Sequence, residues 1–191
     1  MAYITDNFDD QIIKLLKAGG AGLLPSDTIY GLSCAALDKT AVEKVREIKG
    51  RQKDKPFIIL ISDLKMLNLL SISAKHAELA KKYWPGPLSV VFDAPGAPDW
   101  LRASDGTLAI RLPNYPELNE LISQTGPLVS TSANLSGQES IGSVGEAKEM
   151  FGDSLDFYVN VGQLNNSPST LAAIKGNQLQ VLRQGSLHIN T

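Results

Sequence analysis

The sequence predicts a single α/β domain built on a mixed β-sheet, and three observations carry that prediction. Amphipathic segments with helical spacing recur between short apolar runs of strand character through the first two thirds of the chain. Several neighbouring runs have no helix between them, so part of the sheet must pair antiparallel. The 191 residues contain no Pro/Gly/Ser-rich linker and suffice for one well-covered core, so one domain spanning 1–191 is expected.

The elements follow in order. "FDDQIIKLLKAGG" places Ile12, Ile13, Leu15 and Leu16 at helical spacing, with acids in its first turn and a glycine pair at its end. "AGLLP" and "IYGLSCAA" read as extended segments bent around residues 25–28. "TAVEKVREIKG" reads as a helix opened by a capping box of Thr40 and Glu43 and closed by Gly50. "PFIILIS" suits an interior strand, "SAKHAELAKKYW" a helix with His76 on its surface, and "PLSVVF" and "GTLAIRLP" two strands. "PELNELISQ" returns to helix, and "GPLVSTSAN" is a strand running into polar residues. "SVGEAKEMF" carries a second capping box through Ser143 and Glu146, and "FYVNVG", "STLAAI" and "LQVLRQG" close the chain as strands.

Composition excludes several classes of function. A net charge of −2 provides no overall basic field for gripping nucleic acid, so a cationic site must be local, and at most a weak nucleic-acid contact is expected. Cys34 is the single cysteine, and the N-terminal stretch lacks the features of a secretion signal, which together suggest a reducing, cytoplasmic setting. No apolar stretch is long enough to span a bilayer. A Walker-type phosphate loop and a G-x-G-x-x-G turn are both missing, and the two histidines, His76 and His188, have no cysteine or histidine neighbour that would make a zinc site or a Ser-His-Asp triad. No protein-bound metal is expected.

Chemistry concentrates in a few stretches. "IKGRQKDKP" brings Lys49, Arg51, Lys53 and Lys55 between a helix end and a buried strand. By composition alone it is equally a solvated loop, but its place ahead of a sheet strand suits phosphate oxygens. "STSANLSG", residues 130–137, offers hydroxyls and an amide that either bind oxyanions or cap local backbone. Arg111 ends an apolar strand, where a cation needs a partner such as a ligand carboxylate. "WPGPLS" reads as a rigid turn wedging a helix against the following strand.

Taken in order, "PSDTIYGL", "IKGRQKDKP", "WPGPLS", "STSANLSG", "PSTL" and "VLRQG" resemble the YrdC-like threonylcarbamoyl-AMP synthase family over residues 25–185. The ordered pair Lys49-x-Arg51 with Ser132-x-Asn134 is the most specific part of the match. The resemblance implies a YrdC-like twisted mixed sheet flanked by helices, with a large cationic cavity. It also implies a reaction in which L-threonine, bicarbonate and ATP, the last with Mg²⁺, give threonylcarbamoyl-AMP and pyrophosphate. The product would serve N6-threonylcarbamoyladenosine modification of adenosine 37 in tRNA. A separate tRNA threonylcarbamoyl transferase complex would then be the downstream partner, since the chain resembles the short, single-domain form.

Carried over by position, Thr28, Arg111, Ser132 and Ser169 would bind threonine, and Lys49, Arg51, Lys55, Thr107, Asn134 and Arg183 would bind ATP, with Lys49 and Arg51 the catalytic pair. Asp27 and Tyr30 would orient the turn and strand, and Ser26 would cap the bend. The chain departs from the family at Ser26, Gln52 and Ser89, at Leu60 where some members carry a ligand-facing His, and at Ala172, Ala173 and Ile174, where many have an acidic residue. These departures leave a second reading, a paralogue that binds nucleotide or RNA without efficient synthesis. Carbamoyl-adenylate formation, as in hydrogenase maturation proteins, would need partner domains and is the least favoured.

Overall fold

In the computed structural model, which describes residues 1–52 and 54–189, the chain folds around one ten-stranded sheet. Its strands are β1 (Tyr3–Thr5), β2 (Gly22–Leu24), β3 (Gly31–Ala35), β4 (Ile58–Leu60), β5 (Leu88–Asp93), β6 (Thr107–Arg111), β7 (Leu128–Ser132), β8 (Phe157–Val159), β9 (Thr170–Lys175) and β10 (Gln178–Arg183). They lie in the order β1-β8-β2-β3-β7-β4-β6-β5-β9-β10. The pairs β1–β8, β2–β8, β4–β6 and β5–β9 are parallel and the others antiparallel, which is the mixed α/β sheet expected from the sequence.

Four α-helices flank it: α1 (Asp10–Lys17), α2 (Lys39–Lys49), α3 (Pro116–Thr125) and α4 (Val144–Phe151). One face of the sheet, with Leu32, Val129, Ile59 and Val90, buries the larger core against Val42 and Val45 of α2 and Ala147 and Phe151 of α4. The other face buries Leu24, Leu60 and Leu128 beneath Ile12 and Leu16 of α1 and Leu118 and Ile122 of α3.

Register shows what shares that second face. Directly paired residues point the same way, so Gly31 with Ser132, Ser130 with Ile58, Ile58 with Ala109, and Leu60 with Arg111 all lie on the α1/α3 side. Alternation along β6 adds Thr107. Serines, a glycine, an alanine and an arginine therefore continue the surface on which α1 and α3 rest. This polar, small-residue stretch is where a ligand can approach the sheet.

Three local expectations are corrected. Helix α2 starts two residues earlier than the Thr40–Glu43 capping box requires, because the Asp38 carboxylate accepts from the amides of Thr40 (2.9 Å) and Ala41 (3.1 Å). Glu43 is left to pair with Arg46 at 3.4 Å. The stretch read as a helix over "SAKHAELAKKYW" is two short 3₁₀ segments, Ala74–Ala77 and Ala80–Lys82. Ala74, Ala77 and Ala80 recur every third residue, and that spacing turns one side of a 3₁₀ helix to the core. Strand β1 was not anticipated, its three residues being too few to display alternation. The second capping box is present: the Ser143 hydroxyl accepts from the Glu146 amide (3.2 Å) and donates to the Glu146 carboxylate (3.1 Å).

Candidate anion and amino-acid site

A cavity of about 100 Å³ opens on the second face of the sheet, lined by Ser26, Thr28, Gly31, Arg51, Ile58, Arg111, Ser130, Ser132, Pro168, Ser169 and Arg183, among others. Strand ends and loops from across the fold build it. Gly31 keeps its floor open: a side-chain carbon there would lie 3.0 Å from the Ser130 hydroxyl and 3.1 Å from the Thr131 carbonyl, close enough that these neighbours would have to give.

One wall is an ion pair. Arg111 is 4% exposed, and its guanidinium pairs with Asp27, donates to the Thr28 hydroxyl at 2.9 Å and to the Gly86 carbonyl at 3.3 Å. The second Asp27 carboxylate oxygen accepts from the Asn114 amide at 3.0 Å. Burial pushes the Arg111 pKa down and the Asp27 carboxylate pushes it back up. The partner that a buried cation at the end of β6 demanded is therefore Asp27 within the chain itself. Asp27 thereby orients Arg111 as well as the bend. Ser26 caps that bend as expected, accepting from the Thr28 amide (3.2 Å) and donating to the Ile29 carbonyl (2.8 Å).

Arg51 and Arg183 also line the cavity. Arg51 donates to the carbonyls of Lys55 (3.1 Å) and Pro56 (2.7 Å) and stacks over the Phe57 ring with its central carbon 5.1 Å from the ring centre. Arg183 donates to the Ser169 carbonyl at 2.9 Å. Burial lowers the pKa of both, and Arg46 and Arg183 add like-charge repulsion at Arg51. Arg51 and Arg183 thus bring two guanidinium groups to the cavity. All three arginines fold back onto acceptors of the chain and fill part of the space.

The remaining sequence-predicted residues divide. Thr28, Arg111, Ser132, Ser169, Arg51 and Arg183 meet at the cavity. Lys49 does not line it. Its ammonium, 2% exposed, donates to the Ser132 carbonyl (2.6 Å), the Asn134 carbonyl (3.0 Å) and the Asn134 side-chain oxygen (2.6 Å), which occupies all three of its N–H groups. Burial, with Arg51 nearby, pushes its pKa down to about 8. Asn134 is held in turn by the Ser132 hydroxyl (2.6 Å) and by donating to the Gln138 carbonyl (2.6 Å). Lys49 and Asn134 therefore brace the loop that presents Ser132.

Lys55 has an exposed side chain and contributes its carbonyl to Arg51 and Arg46. Thr107 shares the cavity face of β6 but sits at the strand's other end, its hydroxyl donating to Asp105 at 2.7 Å. Lys53 lies outside the described residues. Leu60 neighbours Arg111 on the same face yet is packed into the α1/α3 core. Among the described residues no group of three or more His, Cys, Asp or Glu side chains could hold a metal ion, and no helix is long and apolar enough to cross a membrane.

Sequence reasoning missed Asp27 as the partner of Arg111, and it assigned "WPGPLS" to structure alone. In the fold that turn aims the Gly86 carbonyl at Arg111 and sets Ser89 beneath Ser169, their hydroxyl oxygens 2.8 Å apart.

Comparison with known proteins gives the arrangement relatives. The Sua5/YciO/YrdC family model, described as "Telomere recombination", matches residues 14–185. A threonylcarbamoyl-AMP synthase of Pseudoalteromonas translucida is 36% identical over 168 residues, covering 83% of this chain and 89% of that protein. The structure of P. abyssi Sua5 complexed with L-threonine superposes with a TM-score of 0.85 at 29% identity, covering 98% of this chain but 58% of the P. abyssi chain. E. coli YciO superposes with a TM-score of 0.84 at 25% identity, with 97% of each chain covered.

Proposed function

The chain belongs to the Sua5/YciO/YrdC family, and from that premise we propose that it is a threonylcarbamoyl-AMP synthase, making threonylcarbamoyl-AMP and pyrophosphate from L-threonine, bicarbonate and ATP. The observation that carries the reading is the convergence of Arg111, Thr28, Ser169, Arg51 and Arg183 on one cavity. Arg111 with the neighbouring hydroxyls suits an amino acid carboxylate, and Arg51 with Arg183 suits a polyphosphate.

In this reading the threonine amine adds to carbon dioxide derived from bicarbonate, losing a proton, and forms a carbamate. A carbamate oxygen then attacks the α-phosphorus, and the bond from phosphorus to the bridging oxygen of pyrophosphate breaks. The nucleophile belongs to the substrate, so the chain supplies alignment and charge stabilisation. Arg111 still has N–H groups beyond those engaged by Asp27, Thr28 and Gly86, and these receive the threonine carboxylate. Arg51 and Arg183 exchange their backbone carbonyls for phosphate oxygens, which enlarges the cavity as the nucleotide enters. Mg²⁺ enters with ATP as part of the substrate. Lys49, Ser132 and Asn134 keep the adjoining loop fixed while charge develops on the leaving pyrophosphate.

The adenylate would be consumed by a tRNA threonylcarbamoyl transferase complex, which places the reaction in tRNA modification. Two relations support the proposal: the name of the Pseudoalteromonas relative and the threonine in the P. abyssi structure. The test is pyrophosphate release from ATP with bicarbonate and each of several amino acids. Release that requires threonine is expected, whereas release indifferent to the amino acid, or ATP binding without any release, would leave a nucleotide-binding paralogue in its place.

A further inference from the structure

We propose that Ser89 is a positioning residue that commits the Ser169 hydroxyl to donating its proton into the cavity, so that the ligand atom above Ser169 must be an acceptor. Ser89 comes from the "WPGPLS" turn, 80 residues away in sequence from Ser169. It is fully buried on β5, and Ser169, 3% exposed, lies between it and the cavity. The β5–β6 register pairs Val91 with Ala109 of the cavity face, and alternation along β5 puts Ser89 on that same face.

The direction of the bond follows from hydrogen-bond accounting. The two hydroxyls are 2.8 Å apart and either can donate by geometry. Among the described residues the Ser89 hydroxyl has no other hydrogen-bond partner. If Ser169 donated, the Ser89 proton would be buried without an acceptor, at the cost of an unmade hydrogen bond. If Ser89 donates, its proton is satisfied, and the Ser169 proton turns to the cavity, where water or a ligand accepts it. Donation from Ser89 also polarises the Ser169 O–H and strengthens the bond it makes. With the N–H groups that Arg111 has left over, the Ser169 proton offers an anionic oxygen a second donor.

The inference deepens the proposed synthase reading in naming the threonine carboxylate as that acceptor, but its central measurement needs no substrate. Replacing the cavity hydroxyl by a thiol, Ser169→Cys, turns the bond direction into an acidity. A hydroxyl donating to the new thiolate stabilises it, so the thiol should ionise more readily with Ser89 intact than in the double variant Ser89→Ala/Ser169→Cys, by about tenfold in ionisation constant. Thiolate absorbance reads this cleanly, because burial holds the one native thiol, Cys34, far above its ordinary pKa. Equal acidity in the two variants, or a less acid thiol with Ser89 present, overturns the proposal.

The functional counterpart is L-threonine binding by calorimetry. Ser89→Ala should weaken it by about five- to tenfold with ATP affinity unchanged, Ser89→Thr should restore it, and Ser89→Ala should add nothing in a Ser169→Ala background. Weakening that persists in that background would mark a merely structural role and overturn the positioning claim. Failure of the wild-type protein to bind threonine would refute the synthase reading, while the thiol titration would still decide the role of Ser89.

Discussion

The Lys49 ammonium lies 2.6 Å from the Asn134 side-chain oxygen, across 85 residues of sequence. This bond joins the end of α2 to the loop after β7, and with two backbone carbonyls it leaves Lys49 no N–H free for a ligand. Lys49→Met should therefore act first on stability. Stranding buried acceptors costs about 1–3 kcal/mol, and a chain of this size should lose several degrees of melting temperature. Calorimetry checks this; an unchanged melting temperature would show that the clamp is dispensable.

The same lysine sets a pH dependence with two opposite signs. Its pKa in the fold, about 8, lies below the ordinary 10.5, so between these values the unfolded chain holds the proton that the folded chain releases. This group's contribution to stability accordingly rises as pH increases from about 8 to 10.5. Over the same window the clamp loses one donor, and ATP affinity should fall. An alkaline limb in ATP binding, absent in Lys49→Met, is the expected titration; a limb of the same midpoint in that variant would assign it to another group.

Arg51→Ala should weaken ATP binding by about tenfold or more, the worth of a charge-assisted bond to phosphate. Threonine affinity should change little. ATP affinity equal to wild type would remove Arg51 from the site.

Arg111 and Asp27 separate folding from binding. Arg111→Ala strands a largely buried carboxylate, so it should destabilise the protein as well as raise the threonine requirement far more than the ATP requirement. Adding Asp27→Ala should return part of the stability and none of the threonine affinity. Recovery of both would mean that Arg111 serves Asp27 and no ligand.

Thr107→Ala should leave the ATP requirement within about twofold of wild type, because its hydroxyl is engaged with Asp105 and lies outside the cavity. A large loss in steady-state assays would show that the far end of β6 closes over the nucleotide.

Much of this was legible in the chain. The order of helices and strands followed from periodicity, and the motif order identified Thr28, Arg111, Ser132, Ser169, Arg51 and Arg183, which the fold gathers around one cavity. What escaped the sequence was the choice of partner. That Arg111 required an anion could be argued from its apolar strand, but Asp27, 84 residues distant, becomes that anion only when β6 and the bend after β2 meet. The cation cluster likewise looked uniform, whereas packing turns Lys49 inward, leaves Lys55 on the surface and aims Arg51 at the cavity. Ser89 is a hydroxyl in an apolar run, and its role depends on having a single neighbour, which only the parallel pairing of β5 with β9 supplies.

The most direct test supplies purified protein with ATP, Mg²⁺, L-threonine and isotope-labelled bicarbonate and examines the products by mass spectrometry. The account predicts an adenylate that carries threonine and the bicarbonate carbon together, with pyrophosphate released in equal amount. Pyrophosphate or AMP without that labelled adenylate, or no turnover with ATP bound, would contradict it.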